Sequence, residues 1–391
     1  MNQVREAAPS AKPRKPASSA PAEPLVSILV PAYKERFLAE ALRSALAQSY
    51  PRFEVIVCND NPGSGVARLV EAFDDDRISY FEHVANVGSI ENYKKCFELA
   101  NGDYVKFLND DDLLDADCVR TMVACMEVYG REVSLVTSRR LRIDEAGRPI
   151  QDDASTTPFV EQDARIHGLD LGNFVLRHLV NVIGEPTTAL FRRADLAPNE
   201  PDIFSLNGHP YEMNIDVAMW LALLLQGDCI YLARPLSCLR RHAAQESFSP
   251  ATQFSLVETW SRLRHDAIAL GYLADAQSRL QAAENARALL SERLRVGRYT
   301  QEETRRLEAQ LGVAKEELAR AGGAGESTPS AREEIHQLRK TGDWRPPVRY
   351  APLPGAISIK PRGLRGFVQA WQAERRNRRR RRKRVRRREE A

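Results

Sequence analysis

Tyr104-Val105-Lys106-Phe107-Leu108-Asn109-Asp110-Asp111-Asp112-Leu113-Leu114 carries an apolar strand directly into three consecutive carboxylates and out again into an apolar pair. The acids therefore stand where a strand ends. Adjacent carboxylates repel one another, so the chain must leave them solvated in a turn or neutralise them with a cation, and hard oxygen ligands suit Mg2+ or Mn2+. On this stretch alone two readings stand: a divalent-metal site, or an acidic turn with Asp112 or Asp115 as the N-cap of the next helix.

Upstream, residues 25–30 form an apolar run of strand length that meets Pro31, which has no N–H for a ladder, so the strand must stop or lose pairing there. Phe37, Leu38, Ala41, Leu42, Ala45 and Leu46 then recur at helical spacing. A second apolar strand, 53–58, closes on Asn59-Asp60-Asn61-Pro62-Gly63, which is loop chemistry. A helix over 65–73, a strand over 78–81 and a helix over 90–99 lead to the stretch quoted first. Almost wholly apolar strands alternating with helices predict an α/β fold, a mostly parallel sheet with helices on both faces. Ligands of such sheets bind beyond the carboxyl ends of the strands. Here those ends carry Tyr33 and Glu35, then Asp60, then Asp110 to Asp112.

The chain has 391 residues, 43% hydrophobic and 28% charged, enough for two domains with an ordinary core. No apolar run approaches the ~18 residues needed to span a bilayer. Residues 1–23 are rich in Ala, Pro, Ser and Lys without an apolar stretch, which predicts a disordered leader and a cytoplasmic protein. The six cysteines show no CxxC spacing and read as reduced core thiols. Net charge is +4, yet residues 375–388 hold twelve Arg or Lys and no acid, so the remainder carries −8.

Taken in order, Val26-Ser27-Ile28-Leu29-Val30-Pro31-Ala32-Tyr33, Ser44-Ala45-Leu46-Ala47-Gln48-Ser49-Tyr50, residues 53–60, Asn86-Val87-Gly88 and Ala100-Asn101-Gly102-Asp103-Tyr104 leading into 107–113 carry a specific resemblance. Residues 24 to about 245 resemble the family 2 inverting glycosyltransferases with a GT-A fold, a nucleotide-binding α/β half followed by an acceptor-binding half. The resemblance implies a nucleotide-diphosphate-sugar donor, a UDP- or dTDP-sugar, and a saccharide or lipid-linked acceptor in bacterial surface polysaccharide or glycoconjugate synthesis. It implies that Asp60 contacts the base, that Asp111 takes the divalent metal, and that Asp110 or Asn109 contacts the sugar. Pro31, Tyr33, Glu35 and Asn86 fall on its donor side. Many family members have Asp where Asn109 stands; the amide removes a charge and keeps a hydrogen-bonding group.

In the second half, Ile183-Gly184-Glu185-Pro186-Thr187-Thr188 resembles the family segment lining donor sugar and acceptor, which puts Glu185, Pro186 and Thr187 on the acceptor side. Taken alone it reads as a Gly-Pro turn before an edge strand. Asn214-Ile215-Asp216-Val217-Ala218-Met219-Trp220 matches the family's acid-acid-x-x-x-Trp helix start, with Asp216 as catalytic base and Ile215 replacing the preceding acid. Asp216 also suits a helix N-terminus, and Trp220 suits the core. Arg241 and His242 follow a strand and stand within reach of a diphosphate or at the surface.

The resemblance ends near residue 248, dividing the chain into a 24–115 nucleotide half and a 116–248 acceptor half. Over 249–321, helix-favouring composition and the stripes Leu280, Ala283, Ala286, Leu290, Leu294 and Leu307, Leu311, Ala314, Leu318 predict a helical hairpin or short coiled coil, packed on the catalytic domain or on a second copy. Residues 322–374 read as linker and irregular chain. The Arg-rich tail, 375–391, suits an anionic membrane surface at the cytoplasmic face; without interleaved aromatics and beside an acidic body it predicts no specific nucleic-acid binding. The competing expectation, prompted by Asn109 and Ile215, is a nucleotide-sugar-binding scaffold with impaired catalysis.

Overall fold

In the computed structural model, which describes residues 23–153, 156–242, 250–296, 301–320 and 349–353, the apolar runs become the strands of one sheet. Residues 24–115 hold β1 (Val26–Ala32), α1 (Glu35–Leu46), β2 (Phe53–Asn59), α2 (Val66–Glu71), β3 (Ile78–Glu82), α3 (Ser89–Glu98), β4 (Tyr104–Phe107) and β5 (Leu113–Leu114). Next come α4 (Cys118–Tyr129), β6 (Val133–Ile143), β7 (Ala164–Ile166), α5 (Gly168–His178), β8 (Ala189–Arg192), α6 (Arg193–Leu196), the hairpin β9 (Ser205–Leu206) and β10 (His209–Pro210), α7 (Ile215–Leu224) and β11 (Asp228–Arg240). Three helices follow, α8 (Pro250–Ala269), α9 (Ala276–Val296) and α10 (Gln301–Arg320), and then β12 (Tyr350–Pro352).

The ten-stranded sheet runs β12-β7-β11-β6-β8-β4-β1-β2-β3, with β5 pairing β11 off that path. β1 pairs in parallel with β2 and β4, and β2 with β3, as the apolar runs predict. β1 continues past Pro31 instead of stopping at it, with Pro31 opposite Cys58 and Ala32 opposite Asn59. The alternation of the strand explains this: the Leu29 carbonyl accepts from Leu108 N on the β4 side and the Ala32 carbonyl from Asp60 N on the β2 side. Pro31 therefore lacks its N–H on the β4 side, where pairing has already ended at Leu29.

β8 is no edge strand. It lies between β4 and β6, antiparallel to both. That reversal sets the site, because it brings the Pro186–Thr188 turn beside the carboxyl end of β4. β5 pairs antiparallel with the end of β11, Leu113 opposite Cys238, and so draws Asp112 up to Arg240.

Among the described residues the helical extension holds α8, α9 and α10, packed against α5, α7 and β9 of the same chain. Tyr272, fully buried, donates from its hydroxyl to the Leu221 carbonyl of α7 at 2.8 Å, and Asn173 of α5 accepts from Leu273 N at 2.7 Å. Asn285 of α9 donates to the Arg177 carbonyl at 2.6 Å. Tyr350–Pro352, inside the stretch read as irregular, extends the sheet by pairing with β7. The leader 1–22, most of the 322–374 segment and the 375–391 tail lie outside the described residues. No helix among the described residues is long and apolar enough to cross a membrane.

Removing Tyr272 tests whether the extension belongs to the core. Tyr272→Ala deletes a fully buried ring, and urea denaturation should show a loss of about 3–5 kcal/mol. An unchanged midpoint would mean that the extension folds apart from α5 and α7.

Candidate functional site

The three acids that open the site have three different places. Asp112 is fully buried; its Oδ2 accepts from the Thr187 hydroxyl at 2.9 Å and its Oδ1 from Arg240 N at 3.1 Å. Burial, with Asp111 and Glu185 nearby, holds its carboxyl well above the usual range. It is neither metal ligand nor helix cap. Asp110 Oδ2 accepts from both Tyr33 N and Lys34 N at 2.8 Å and so ties down the loop from β1 to α1. Burial and Asp111 push it up to about 6. Asp111 keeps partial exposure, and its Oδ2 lies 2.9 Å from His242 Nε2.

Arg240 explains how these acids are held, and it was not singled out from the sequence. Its side chain is fully buried, donating from Nε to the Asp111 carbonyl at 2.8 Å and pairing with Glu40 at 2.7 Å. Its guanidinium stacks over Phe37 at 4.3 Å, and the His242 ring lies 5.3 Å from the same phenyl. Lys106, equally missed, is fully buried and donates to the Thr187 and Ala189 carbonyls, with burial lowering its pKa. A lone cation inside an otherwise apolar strand was the available signal.

On the donor side, Asp60 is buried and its carboxylate accepts from Val87 N at 2.7 Å, Gly88 N at 3.0 Å and the Asn86 amide at 3.1 Å. It fastens the 86–88 loop over the end of β2. Glu35 accepts from Gly65 N at 2.6 Å, joining the starts of α1 and α2. Tyr33 is 46% exposed, while Pro31 is half-buried in β1. Asn109 donates from its backbone to the Thr187 hydroxyl at 3.1 Å, and its side-chain oxygen accepts from the Tyr93 hydroxyl.

Asp216 stands in the first turn of α7. Its Oδ2 accepts from the Asn181 amide at 2.7 Å and its Oδ1 from Val217 N at 2.8 Å. Burial above all, with Glu185 adding, pushes it up to about 6 against the pull of Val217 N and Arg140. Asn181 and Trp220 both donate to the Gly184 carbonyl, at 3.0 and 2.9 Å, so Trp220 is core and a brace for this turn. Gly184 takes φ +111°, and a Cβ there would meet Thr188 Oγ1 at 2.7 Å and Arg140 at 2.9 Å, so the turn requires glycine. Glu185 pairs with Arg140 at 2.8 Å. Pro186 and Thr187 are buried, and Thr187 supports Asp112 and Asn109 from behind, so of the three expected acceptor-side residues only Glu185 keeps exposure. Arg241 pairs with Asp153 at 3.6 Å, apart from the Asp111–His242 pair. Burial, then Asp112, Asp111, Asp110 and Asp216, hold the Tyr93 hydroxyl well above its ordinary value, so the acidic turn and Asp216 are both within electrostatic reach of it.

Among the described residues no group of three or more His, Cys, Asp or Glu could hold a metal by itself. Asp111 and His242 nonetheless fit a divalent ion that takes its other ligands from a diphosphate. They set a carboxylate oxygen 2.9 Å from an imidazole Nε2, a donor pair of the kind that divalent ions accept.

The family model described as Glycosyl transferase family 2 matches residues 27–196. A putative teichuronic acid biosynthesis glycosyltransferase, TuaG of Bacillus subtilis, is 33% identical over 215 residues, 54% of this chain and 75% of that protein. The uncharacterized protein MT1568 of Mycobacterium tuberculosis is 28% identical over 233 residues, 58% of this chain and 70% of its own length. Among solved structures, S. aureus TarS in complex with UDP-GlcNAc superposes with a TM-score of 0.56 at 16% identity, covering 81% of this chain and 88% of that one, a likeness of fold. The chain belongs to glycosyl transferase family 2 and is a glycosyltransferase with a GT-A-like fold.

Proposed function

We propose that the chain moves a sugar from a nucleotide-diphosphate donor to an acceptor hydroxyl with inversion, in the synthesis of a surface polysaccharide or glycoconjugate. The observation that carries this is Asp216, a carboxylate raised to about 6 and oriented by Asn181 and Val217 N, in electrostatic reach of the same tyrosine as the acidic strand end. In this reading the nucleotide lies over the ends of β1, β2 and β4. Tyr33 flanks the base, Asp60 and Asn86 shape its pocket, and Asn109 and Asp110 line the sugar side, with Pro31 and Glu35 setting the loops. Asp111 and His242 would hold Mg2+ or Mn2+, which when bound neutralises charge on the leaving diphosphate. Asp216 accepts the acceptor proton on an oxygen that keeps a second lone pair beside its hydrogen bond. One displacement inverts the anomeric centre without a covalent intermediate. The scaffold reading gains nothing from Asn109 or Ile215: Asn109 is satisfied by Tyr93, and Ile215 packs on the core.

A base must be ionised to work, so a raised pKa moves the loss of activity to higher pH. Transfer should therefore fall as pH drops through about 6. Asp216→Asn should lower transfer at least ~100-fold, remove that limb and leave donor binding nearly intact. A variant that no longer binds donor would make Asp216 structural.

Asp111→Ala should abolish metal-dependent donor binding and release of the nucleotide, because Asp110 and Asp112 are committed to Tyr33, Lys34, Arg240 and Thr187. Normal turnover would sink the metal assignment.

The Arg-rich tail serves, in this proposal, to hold the enzyme at an anionic membrane surface, where each basic residue contributes ~1 kcal/mol before screening and ordering. Full-length protein should pellet with anionic vesicles at low salt and be released by high salt, whereas protein lacking residues 366–391 should stay in solution. Equal pelleting of the two would rule the tail out.

A further inference from the structure

The chain reaches α7, the helix that carries Asp216, through the β9–β10 hairpin, and that hairpin is gripped from two directions. Leu206 stands opposite His209 across a turn in which Asn207 and Gly208 take φ of +53° and +76°, the conformation that closes a two-residue hairpin. Past Tyr211 the chain meets Asn214, whose φ of +52° turns it into α7, and Asp216 follows in the first turn.

One grip comes from the helical extension. Asp266 of α8 is buried, with Oδ1 2.9 Å from His209 Nδ1 and Oδ2 accepting from the Tyr211 hydroxyl at 2.6 Å. Arg262, one turn earlier on α8, donates to the Pro210 carbonyl and lies over the Tyr211 ring at 4.4 Å. Two side chains of α8 thus hold three consecutive residues of the hairpin. Tyr211 is buried too, and burial with the Asp266 carboxylate beside it keeps its hydroxyl well above the ordinary value, so that hydroxyl serves as a donor. The other grip comes from α3. Lys94 pairs with Asp202 ahead of the hairpin, and Phe204 meets Tyr93 edge-on at 5.8 Å. Tyr93 is the residue that donates to the Asn109 side chain. Tyr211 N joins the two grips by donating to the Phe204 carbonyl at 3.2 Å.

A buried carboxylate is costly unless its oxygens are satisfied, and the packing of α8 does not call for one, since Trp260, Leu263 and Ala267 already seat that helix in the core. The partners of Asp266 among the described residues are both on the hairpin. Asn181 orients the Asp216 carboxylate and Tyr272 braces the middle of α7, which leaves the entry to the helix to the hairpin.

We infer that Asp266 is a positioning residue for the transfer: by drawing His209 and Tyr211 onto α8 it fixes the entry to α7, and with it the place of Asp216 relative to Asn109. The inference rests on the proposed reading of Asp216 as the base. It concerns the displacement and not the hold on the nucleotide, whose side chains Asp266 does not touch.

The test uses the full chain with Mn2+ and measures release of UDP from UDP-glucose and UDP-GlcNAc, with water in place of the acceptor hydroxyl. Asp266→Ala should lower kcat at least ~10-fold, as a displaced catalytic group does. The donor KM should stay within about twofold, because the nucleotide contacts are separate. Asp266→Asn should recover most of the rate, since its amide still accepts from Tyr211 and donates to the other tautomer of His209. Hydrogen exchange supplies a reading independent of turnover: in Asp266→Ala the amides of residues 211–218 should exchange at least ~10-fold faster while those of β1 and β2 keep their rates. Unchanged exchange over 211–218, acceleration spread evenly over the chain, a donor KM that rises with kcat intact, or Asn no better than Ala would overturn the role. If Asp216→Asn left UDP release unchanged, the base reading would fall, and the exchange pattern would still decide whether Asp266 fixes the entry to α7.

Discussion

A carboxylate with no access to water, Asp112, is the constraint on which the rest of the site depends. An ionisable group in that position is tolerated only when its oxygens are satisfied, and the two donors come from chain segments remote in sequence: Thr187 before β8 and the backbone of Arg240 at the end of β11. The bond to Thr187 pins the turn before β8 against the acidic strand end. The bond to Arg240 brings the last strand of the domain to the same point. Lys106 completes the arrangement from beneath by donating to the carbonyls of Thr187 and Ala189, so the meeting of β4, β8 and β11 is hydrogen-bonded throughout.

This anchoring divides roles among neighbours. Of Asp110, Asp111 and Asp112, the first binds the backbone of the β1 to α1 loop and the last binds the sheet, which leaves Asp111 facing the cleft with His242. Arg240, Arg241 and His242 divide in the same way. Arg240 is buried under the acids with Glu40, Arg241 turns to Asp153, and His242 turns to Asp111. The acids stand in the turn between β4 and β5 and the second triplet where the chain leaves β11, and each sets a buried anchor beside a partly exposed side chain, Asp111 in one and Arg241 in the other. A ligand held by such groups meets side chains whose backbone is already fixed, so little ordering is needed on binding.

The turn before β8 is pre-organised in the same manner. Gly184 allows a backbone conformation that brings its carbonyl to both Asn181 and Trp220, and the same Asn181 amide holds Asp216. Behind α7, Tyr272 of the helical extension bonds the Leu221 carbonyl. The extension is thereby part of what positions the helix that carries Asp216.

Residues 25–107 by themselves determined the sheet they form: continuous apolar strands separated by amphipathic helices admit little besides a covered parallel sheet, and the acids stand at the carboxyl ends of its strands. Asp216 at a helix start and Asp111 after a strand were legible because local spacing and the family resemblance both pointed to them. What the sequence left undecided was which polar residues are ligands and which are supports. Thr187 and Asp112 read as site residues or caps and proved to be buried partners, while Arg240 and Lys106 gave almost no local sign of their role. The position of β8 was equally hidden, because four residues fit an edge or a centre alike until β4 and β6 close on both sides. Pairing across more than a hundred residues, such as Asp112 with Arg240 and Asp111 with His242, is set by strand order and direction, and no local pattern encodes it.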